Sequence, residues 1–390
     1  MSRVRGAAQS VKGFRHFTTN HSKMATNDRI HILGVGNLGR LFAHSLATKF
    51  NPPPITLLLH RETLFSEWEQ AGRKVEIITN GKPSSATNID VEVLELGPAP
   101  DPISNLIVTT KTINTVKAID RIKDRLNGDS TILFTQNGMG TTDQVTSLVF
   151  PDPSTRPQYL AGIISHGVYS TGPFSSVHAG FAHVSLGPVS SPSSPFTGLN
   201  PQSQYLIDQV TRAKVLNAKG VSAQDLTILQ LQKLVINAMM NPLTVIFDCK
   251  NGELFTRGAI VQTMRQLLAE ASHVLLSLPE LRSSSSDKDI DSLFSTQTLE
   301  ELVIDVAEKT AANTSSMLQD LRAGRETEID YINGYIVRRG KELGVDVRNN
   351  ERLVRMVKDG KRIGVDEVEE YFPRYSGAGK GWLGNLLSII

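Results

Sequence analysis

The run Arg29-Ile30-His31-Ile32-Leu33-Gly34-Val35-Gly36-Asn37-Leu38-Gly39 decides the fold. A short β-rich stretch delivers straight into three glycines spaced G-x-G-x-x-G. A helix-like stretch, Arg40 to Phe50, follows, and Pro52-Pro53-Pro54 stops it. In a strand-turn-helix unit the first glycine permits the tight turn, the second lets backbone approach a pyrophosphate, and the third allows close helix-sheet packing. The phosphate then sits at the helix N-terminus, where unpaired N–H groups favour an anion. Spaced glycines alone occur in many loops. The flanking strand and helix turn Gly34, Val35, Gly36, Asn37, Leu38 and Gly39 into an expected dinucleotide-binding turn.

Outward from this turn, Ile55-Thr56-Leu57-Leu58-Leu59 reads as a buried parallel strand, and 105–109 and 131–135 read as two more, separated by a helical pattern around Val116 to Leu126. Alternating strands and helices predict a doubly wound, mainly parallel sheet of Rossmann type. Between about Pro151 and Pro201 the text is rich in Gly, Ser, Pro and His, with short alternating pieces such as 181–186, expected to close the first domain with loops near Ser190 to Pro195. From Ala223 helical periodicity takes over. The expected organisation is therefore an N-terminal segment 1–26, an α/β Rossmann domain 27–222, an all-α helical substrate domain 223–372 interrupted by a polar loop at Ser283 to Asp289, and a flexible tail 373–390.

At 390 residues with 39% hydrophobic content the chain suits two cores better than one. The single Cys249 excludes an intramolecular disulfide framework and any multi-cysteine metal site, and no metal is implied. No apolar run approaches the roughly 20 residues that span a bilayer. Net charge is +2, but Arg3, Arg5, Lys12, Arg15 and Lys23 all precede the first acid, Asp28, so the body is mildly acidic. That balance gives no reason to invoke nucleic acid. The acid-free, hydroxyl-bearing opening has the composition of a mitochondrial transit peptide; the alternative is a basic disordered tail on a cytoplasmic protein, and a start at Met24 would remove the signal.

The end of the second strand discriminates between cofactors. An acid there would hold the ribose 2′-hydroxyl of NAD, whereas this strand ends in His60-Arg61 with Glu62 only after the arginine. A guanidinium suits a 2′-phosphate and favours NADP(H); a plain surface arginine is the alternative. Lys111 and Asn137, each just past a later strand, fall at the sheet edge where such folds bind ligands. His166 and His183 lack an acidic orienting partner and are expected to be structural.

In the helical part, Lys233, Asn237 and Asn241 are spaced i, i+4, i+8 and line one face of a helix whose other members, Leu234, Ile236 and Met240, are apolar. Such a stripe is costly unless it faces a ligand, a wet cleft or solvent. Pro242 deprives the Ala238 carbonyl of its helical donor, so the helix should bend or loosen beside Asn241. Further on, Ser316 with Gln319 and Thr327 with Asp330 fit capping boxes, the second helix running to Leu343 before Gly344. Glu328 is then explicable as a first-turn acid answering the macrodipole.

At these residues the chain resembles the ketopantoate reductase (2-dehydropantoate 2-reductase) family from Arg29 to about Lys358. The motifs that carry the resemblance are 136–140 (QNGMG), 241–244 (NPLT), 315–320 (SSMLQD) and 327–334 (TEIDYING). It implies that Lys233 is the catalytic lysine, that Glu328 assists it and binds substrate, and that Asn237, Asn241, Ser316 and Asn137 contact a small 2-oxo acid. It further implies cofactor contacts from the glycine turn, Lys111 and Asn137, with Arg61 at the 2′-phosphate. The expected activity is NADPH-dependent reduction of ketopantoate to pantoate, in pantothenate and coenzyme A biosynthesis. A sibling reductase of another 2-oxo acid or an imine, and a non-catalytic mitochondrial factor on the same fold, are the alternatives. A homodimer stays open. Departures are additions: the basic start, the 151–201 region, the serine-rich loop and the tail.

Overall fold

The computed structural model describes residues 28–97, 101–190, 196–283 and 289–373. The basic opening segment, most of the loops near Ser190 to Pro195 and Ser283 to Asp289, and the tail after Pro373 lie outside them.

The chain splits into two compact units, 1–230 and 231–390. In the first, the strands are β1 (Ile30–Leu33), β2 (Ile55–Leu59), β3 (Val75–Thr79), β4 (Lys82–Ala86), β5 (Asp90–Val93), β6 (Asn105–Val108), β7 (Thr131–Phe134), β8 (Gln158–Ile164), β9 (Gly167–Gly172), β10 (Ser175–Gly180), β11 (Val184–Pro188) and β12 (Ala218–Gly220). Eight of them form one sheet in the order β12-β11-β8-β7-β6-β1-β2-β5, parallel throughout except where β11 runs against β8. The helices α1 (Asn37–Ala47), α2 (Glu62–Gln70), α3 (Thr112–Asp120), α4 (Thr141–Leu148) and α5 (Pro201–Thr211) accompany it.

Both faces of the sheet are buried, which is why its strands read as continuous apolar runs. Ile30 and Ile32 of β1 enter one core while Leu33 enters the other. Since β1 pairs with β2 on one side and β6 on the other, the strand order reverses at β1, and the glycine turn leaves the sheet at that switch point.

A second sheet, β4-β3-β10-β9, is a departure from expectation. Its β4 strand, Lys82-Pro83-Ser84-Ser85-Ala86, is exposed except at its end, so it carries no apolar alternation, and Pro83 is tolerated because the strand is an edge. The region 151–201 is therefore divided: β8 and β11 complete the main sheet, whereas β9 and β10 join the small one. Phe174, between β9 and β10, packs edge-on against Trp68 of α2 at 4.9 Å. Expected helix bounds also shift: α1 ends at Ala47 rather than Phe50, and α3 starts at Thr112, its C-terminal end becoming a 3-10 turn at Lys123–Arg125.

α6 (Ala223–Ile246) carries the chain into the second unit. There follow α7 (Gly258–Leu276), α8 (Pro279–Ser283), α9 (Ile290–Leu293), α10 (Thr296–Lys309), α11 (Ser316–Arg322), α12 (Asn333–Leu343), α13 (Arg348–Lys358) and α14 (Val368–Tyr371). No strand occurs among the described residues of this unit. No helix of the described residues is long and apolar enough to cross a membrane.

Candidate active site

In the first unit the glycine turn has the geometry its spacing predicts. Gly34 has φ +103°, and a Cβ there would lie 2.7 Å from the Thr110 backbone nitrogen. A Cβ on Gly39 would lie 1.9 Å from the Gly34 carbonyl oxygen, so only glycine lets α1 start this close to β1. Gly36, by contrast, faces open space, with nothing within 4 Å of its would-be Cβ. It N-caps α1 without a side-chain cap, and the first turn holds no acid. Free N–H groups, room for close approach and absence of negative charge together fit a bound pyrophosphate.

The turn is braced in a way its glycines do not reveal. Arg40 donates through Nε to the Val35 carbonyl (3.0 Å) and through Nη1 to the carbonyls of Gly172 (2.9 Å) and Ser175 (3.0 Å). Asn37 Oδ1 accepts from Ser176 Oγ at 3.1 Å. The β9-β10 hairpin thus holds the loop, and burial pushes the Arg40 pKa down. Val35 and Leu38 pack on the apolar core beneath.

At the end of β2, Arg61 N-caps α2 and is half exposed, with only a 4.0 Å approach to Glu67. Arg121, which sequence reasoning passed over, donates to the His60 carbonyl at 3.3 Å and adds a second cation there. The two arginines and burial together lower the His60 pKa, burial most. Sixty residues separate Arg121 from Arg61, so no local signal joined them. Lys111 is exposed at the N-cap of α3, and the Asn137 carbonyl accepts from Thr112 Oγ1 at 3.2 Å.

In the second unit, Lys233 and Asn237 are half-buried and Asn241 is buried, one above another on α6. Burial of the Lys233 ammonium pushes its pKa down to about 8, and Glu328 opposes that fall through its charge. Glu328 is itself buried. The pair that the motifs separated by 95 positions is therefore in electrostatic contact.

Two local expectations are corrected here. The N-cap of α11 is Ser315, which accepts from the Leu318 N–H; Ser316 is the exposed first helical residue, because Ser315 is held by Thr244 Oγ1 at 2.6 Å. No capping box forms at Thr327: Glu328 precedes a 3-10 turn, Ile329–Tyr331, α12 starts only at Asn333, and Asp330 pairs instead with Lys358 at 2.7 Å. Gly344 does end α12, with φ 70°. α6 itself is helical through Pro242 to Ile246, and the amide of Asn333 replaces the donor that Pro242 lacks, its Nδ2 lying 3.0 Å from the Ala238 carbonyl oxygen.

Of the histidines, His166 lies in a buried network, its Nδ1 3.0 Å from His178 Nε2 and its Nε2 2.9 Å from the Leu216 carbonyl oxygen; His183 is exposed.

A glycine turn at the switch point of a doubly wound sheet, followed by a helical unit that sets a lowered-pKa lysine against a carboxylate, is the architecture of a two-domain oxidoreductase with a Rossmann-type first domain. Within that class the chain belongs to the ketopantoate reductase family. Residues 30–191 match the family "Ketopantoate reductase PanE/ApbA" and residues 225–361 match its C-terminal part. The chain is 33% identical to the ketoisovalerate reductase of Gibberella fujikuroi, over 88% of this chain and 85% of that one. It is 30% identical to a protein of Schizosaccharomyces pombe named as a probable 2-dehydropantoate 2-reductase, over 88% and 99%. A solved D-mandelate dehydrogenase with NADH and anilino(oxo)acetate shares the fold, with a TM-score of 0.69 at 22% identity, covering 87% of this chain and 99% of that one.

Proposed function

We propose that this protein reduces the C2 ketone of a branched 2-oxo acid with NADPH, ketopantoate being the substrate and pantoate the product. The observation that carries the reading is Lys233: a half-buried residue whose buried ammonium feels the charge of Glu328, on a helix face shared with two asparagines, and acidified to about 8. That value keeps the group protonated at neutral pH yet makes it a far better proton donor than an ordinary lysine.

NADPH, when bound, supplies the hydride. The glycine turn Gly34 to Gly39 would hold its pyrophosphate, Arg61 with Arg121 the 2′-phosphate, and Lys111 and Asn137 the ribose and nicotinamide side. Lys233 polarises the ketone oxygen, stabilises the charge that builds there and gives up its proton to form the hydroxyl; solvent then restores the ammonium. The same cation attracts the substrate carboxylate. Glu328 orients the ammonium and accepts from the new hydroxyl, while Asn237, Asn241 and the exposed Ser316 hydroxyl supply neutral donors that fix the substrate without competing acidity.

A second reading has its own support, since the Gibberella relative is named for ketoisovalerate. Ketoisovalerate lacks the hydroxymethyl group of ketopantoate. A site that hydrogen-bonds this hydroxyl rejects the shorter acid by about 10⁴-fold or more, whereas an apolar site separates the two by only about 10- to 200-fold. NADPH oxidation with each acid decides: ketopantoate preferred is the expected outcome, ketoisovalerate preferred installs the second reading, and no turnover with any 2-oxo acid removes both.

A further inference from the structure

Pro242 sets a problem that the fold must solve. Inside α6 the Ala238 carbonyl should accept from the N–H four residues on, but proline has none, and a buried carbonyl left unpaired is destabilising. Ala238 is buried, one residue from Asn237 and five from Lys233. The missing donor comes from across the unit: Asn333 Nδ2 lies 3.0 Å from that carbonyl oxygen, and Asn333 is fully buried.

The orientation of this amide is dictated by its neighbours. Asn350 Nδ2 donates to Glu270 Oε2 (2.8 Å) and to the Leu267 carbonyl (3.1 Å), both of which only accept. Asn350 therefore turns its Oδ1 towards Asn333, whose Nδ2 donates to it at 3.0 Å as well as to Ala238. Glu270 is anchored in turn by the backbone N–H groups of Asn349 and Asn350 at the start of α13, 3.0 Å each. The chain Glu270-Asn350-Asn333-Ala238 thus ties α7 and α13 to α6 at the turn between Asn237 and Asn241.

Asn333 stands five residues after Glu328, at the start of α12. Its side chain joins the segment carrying the carboxylate to the helix carrying the lysine. We propose that Asn333 is a positioning residue: by supplying the donor that Pro242 withholds, it fixes the Lys233-Asn237-Asn241 face against Glu328, touching neither substrate nor cofactor. The inference rests on the reductase reading for its kinetic consequence, but its geometric content is independent of the substrate.

Misplacing a proton donor by about 1 Å costs on the order of 10²-fold in rate. Asn333→Ala should therefore lower kcat by about 10²-fold while leaving NADPH affinity, read by fluorescence titration, within about two-fold. Pro242→Ala restores a backbone donor for Ala238, so in that background the same Asn333→Ala change should cost no more than about ten-fold; coupling of this kind marks a shared partner. Equal losses in the two backgrounds, or a normal kcat in Asn333→Ala, overturn the proposal. Asn333→Gln covers the case in which the alanine variant does not fold: it keeps both donors but displaces them by a methylene, and should lose rate with KM little changed, whereas unimpaired turnover would again refute positioning.

Acetylation of Lys233 as a function of pH, followed by peptide mass spectrometry on the full chain, separates the two readings. The wild-type midpoint should lie near 8, and in Asn333→Ala it should rise towards the ordinary lysine value, because a loosened helix readmits water to the ammonium. An unmoved midpoint defeats the positioning role even if 2-oxo acids are reduced. A moved midpoint in a protein that reduces no 2-oxo acid upholds the positioning role and defeats the reaction.

Discussion

At the scale of single residues the proposed reduction turns on one proton. Lys233→Ala should lower kcat by about 10²- to 10⁴-fold while NADPH titration stays close to wild type, because the lysine and the glycine turn belong to different units. Lys233→Arg should restore little, since guanidinium keeps the charge but releases its proton far less readily. The pH profile follows with a definite sign. The ammonium is the competent form, so reductive kcat/KM should be full below about 8 and fall as pH rises through that value rather than through 10.5. Glu328 holds the Lys233 pKa up, so Glu328→Gln should move the fall to lower pH. A profile flat to about pH 10 would sink the assignment. Arg61→Ala should erase a preference for NADPH over NADH; equal efficiencies with the two cofactors in the wild type would show that Arg61 does not read the phosphate. The i, i+4, i+8 spacing made Lys233, Asn237 and Asn241 legible as one face, because helix geometry is local. Arg121 and Arg40 were not, because what they touch lies roughly sixty and more than a hundred residues away.

At the scale of elements, two junctions carry testable loads. Gly39→Ala places a Cβ 1.9 Å from the Gly34 carbonyl oxygen, which neither backbone can evade without moving α1 off β1. Overpacking of this kind costs about 1–3 kcal/mol, and NADPH binding should weaken by more than about ten-fold. Unchanged titration would show that the turn does not meet the cofactor. In the same unit, Arg125 in the 3-10 turn after α3 pairs with Glu92 of β5 at 2.7 Å, each side chain about 5% exposed. Glu92→Ala leaves a buried guanidinium without its carboxylate, and urea unfolding should show a loss of about 3–5 kcal/mol. A loss under about 1 kcal/mol would mean that water reaches Arg125. Element types were readable where periodicity is strong, as in β1, β2 and α6. The ends were less so: Ser315 rather than Ser316 caps α11, because the cap is chosen by the tertiary bond to Thr244.

At the scale of the whole molecule, two units of different construction make up the chain, one carrying the glycine turn and one carrying Lys233 and Glu328. The opening segment adds an address to test. A fluorescent reporter fused to residues 1–23 should enter mitochondria, because the segment carries five cations and no acid; a reporter spread through the cytosol would refute this.

The sequence by itself determined the parts whose physics is local: the glycine turn between a strand and a helix, the parallel sheet implied by uninterrupted apolar strands, the switch to helices after Ala223, and the polar face of α6. It also posed the Pro242 question, since a missing N–H is visible in one letter. Only the tertiary structure decided how that question is answered, because the replacing donor, Asn333, lies 95 residues from Ala238. The small second sheet belongs to the same kind: β3 finds its partner β10 about a hundred residues on, and β4, polar and proline-bearing, is a strand only because β3 lies beside it. The burial that makes Lys233 acidic, and the Glu328 charge that opposes it, are likewise products of packing, since both exist only once the chain has folded.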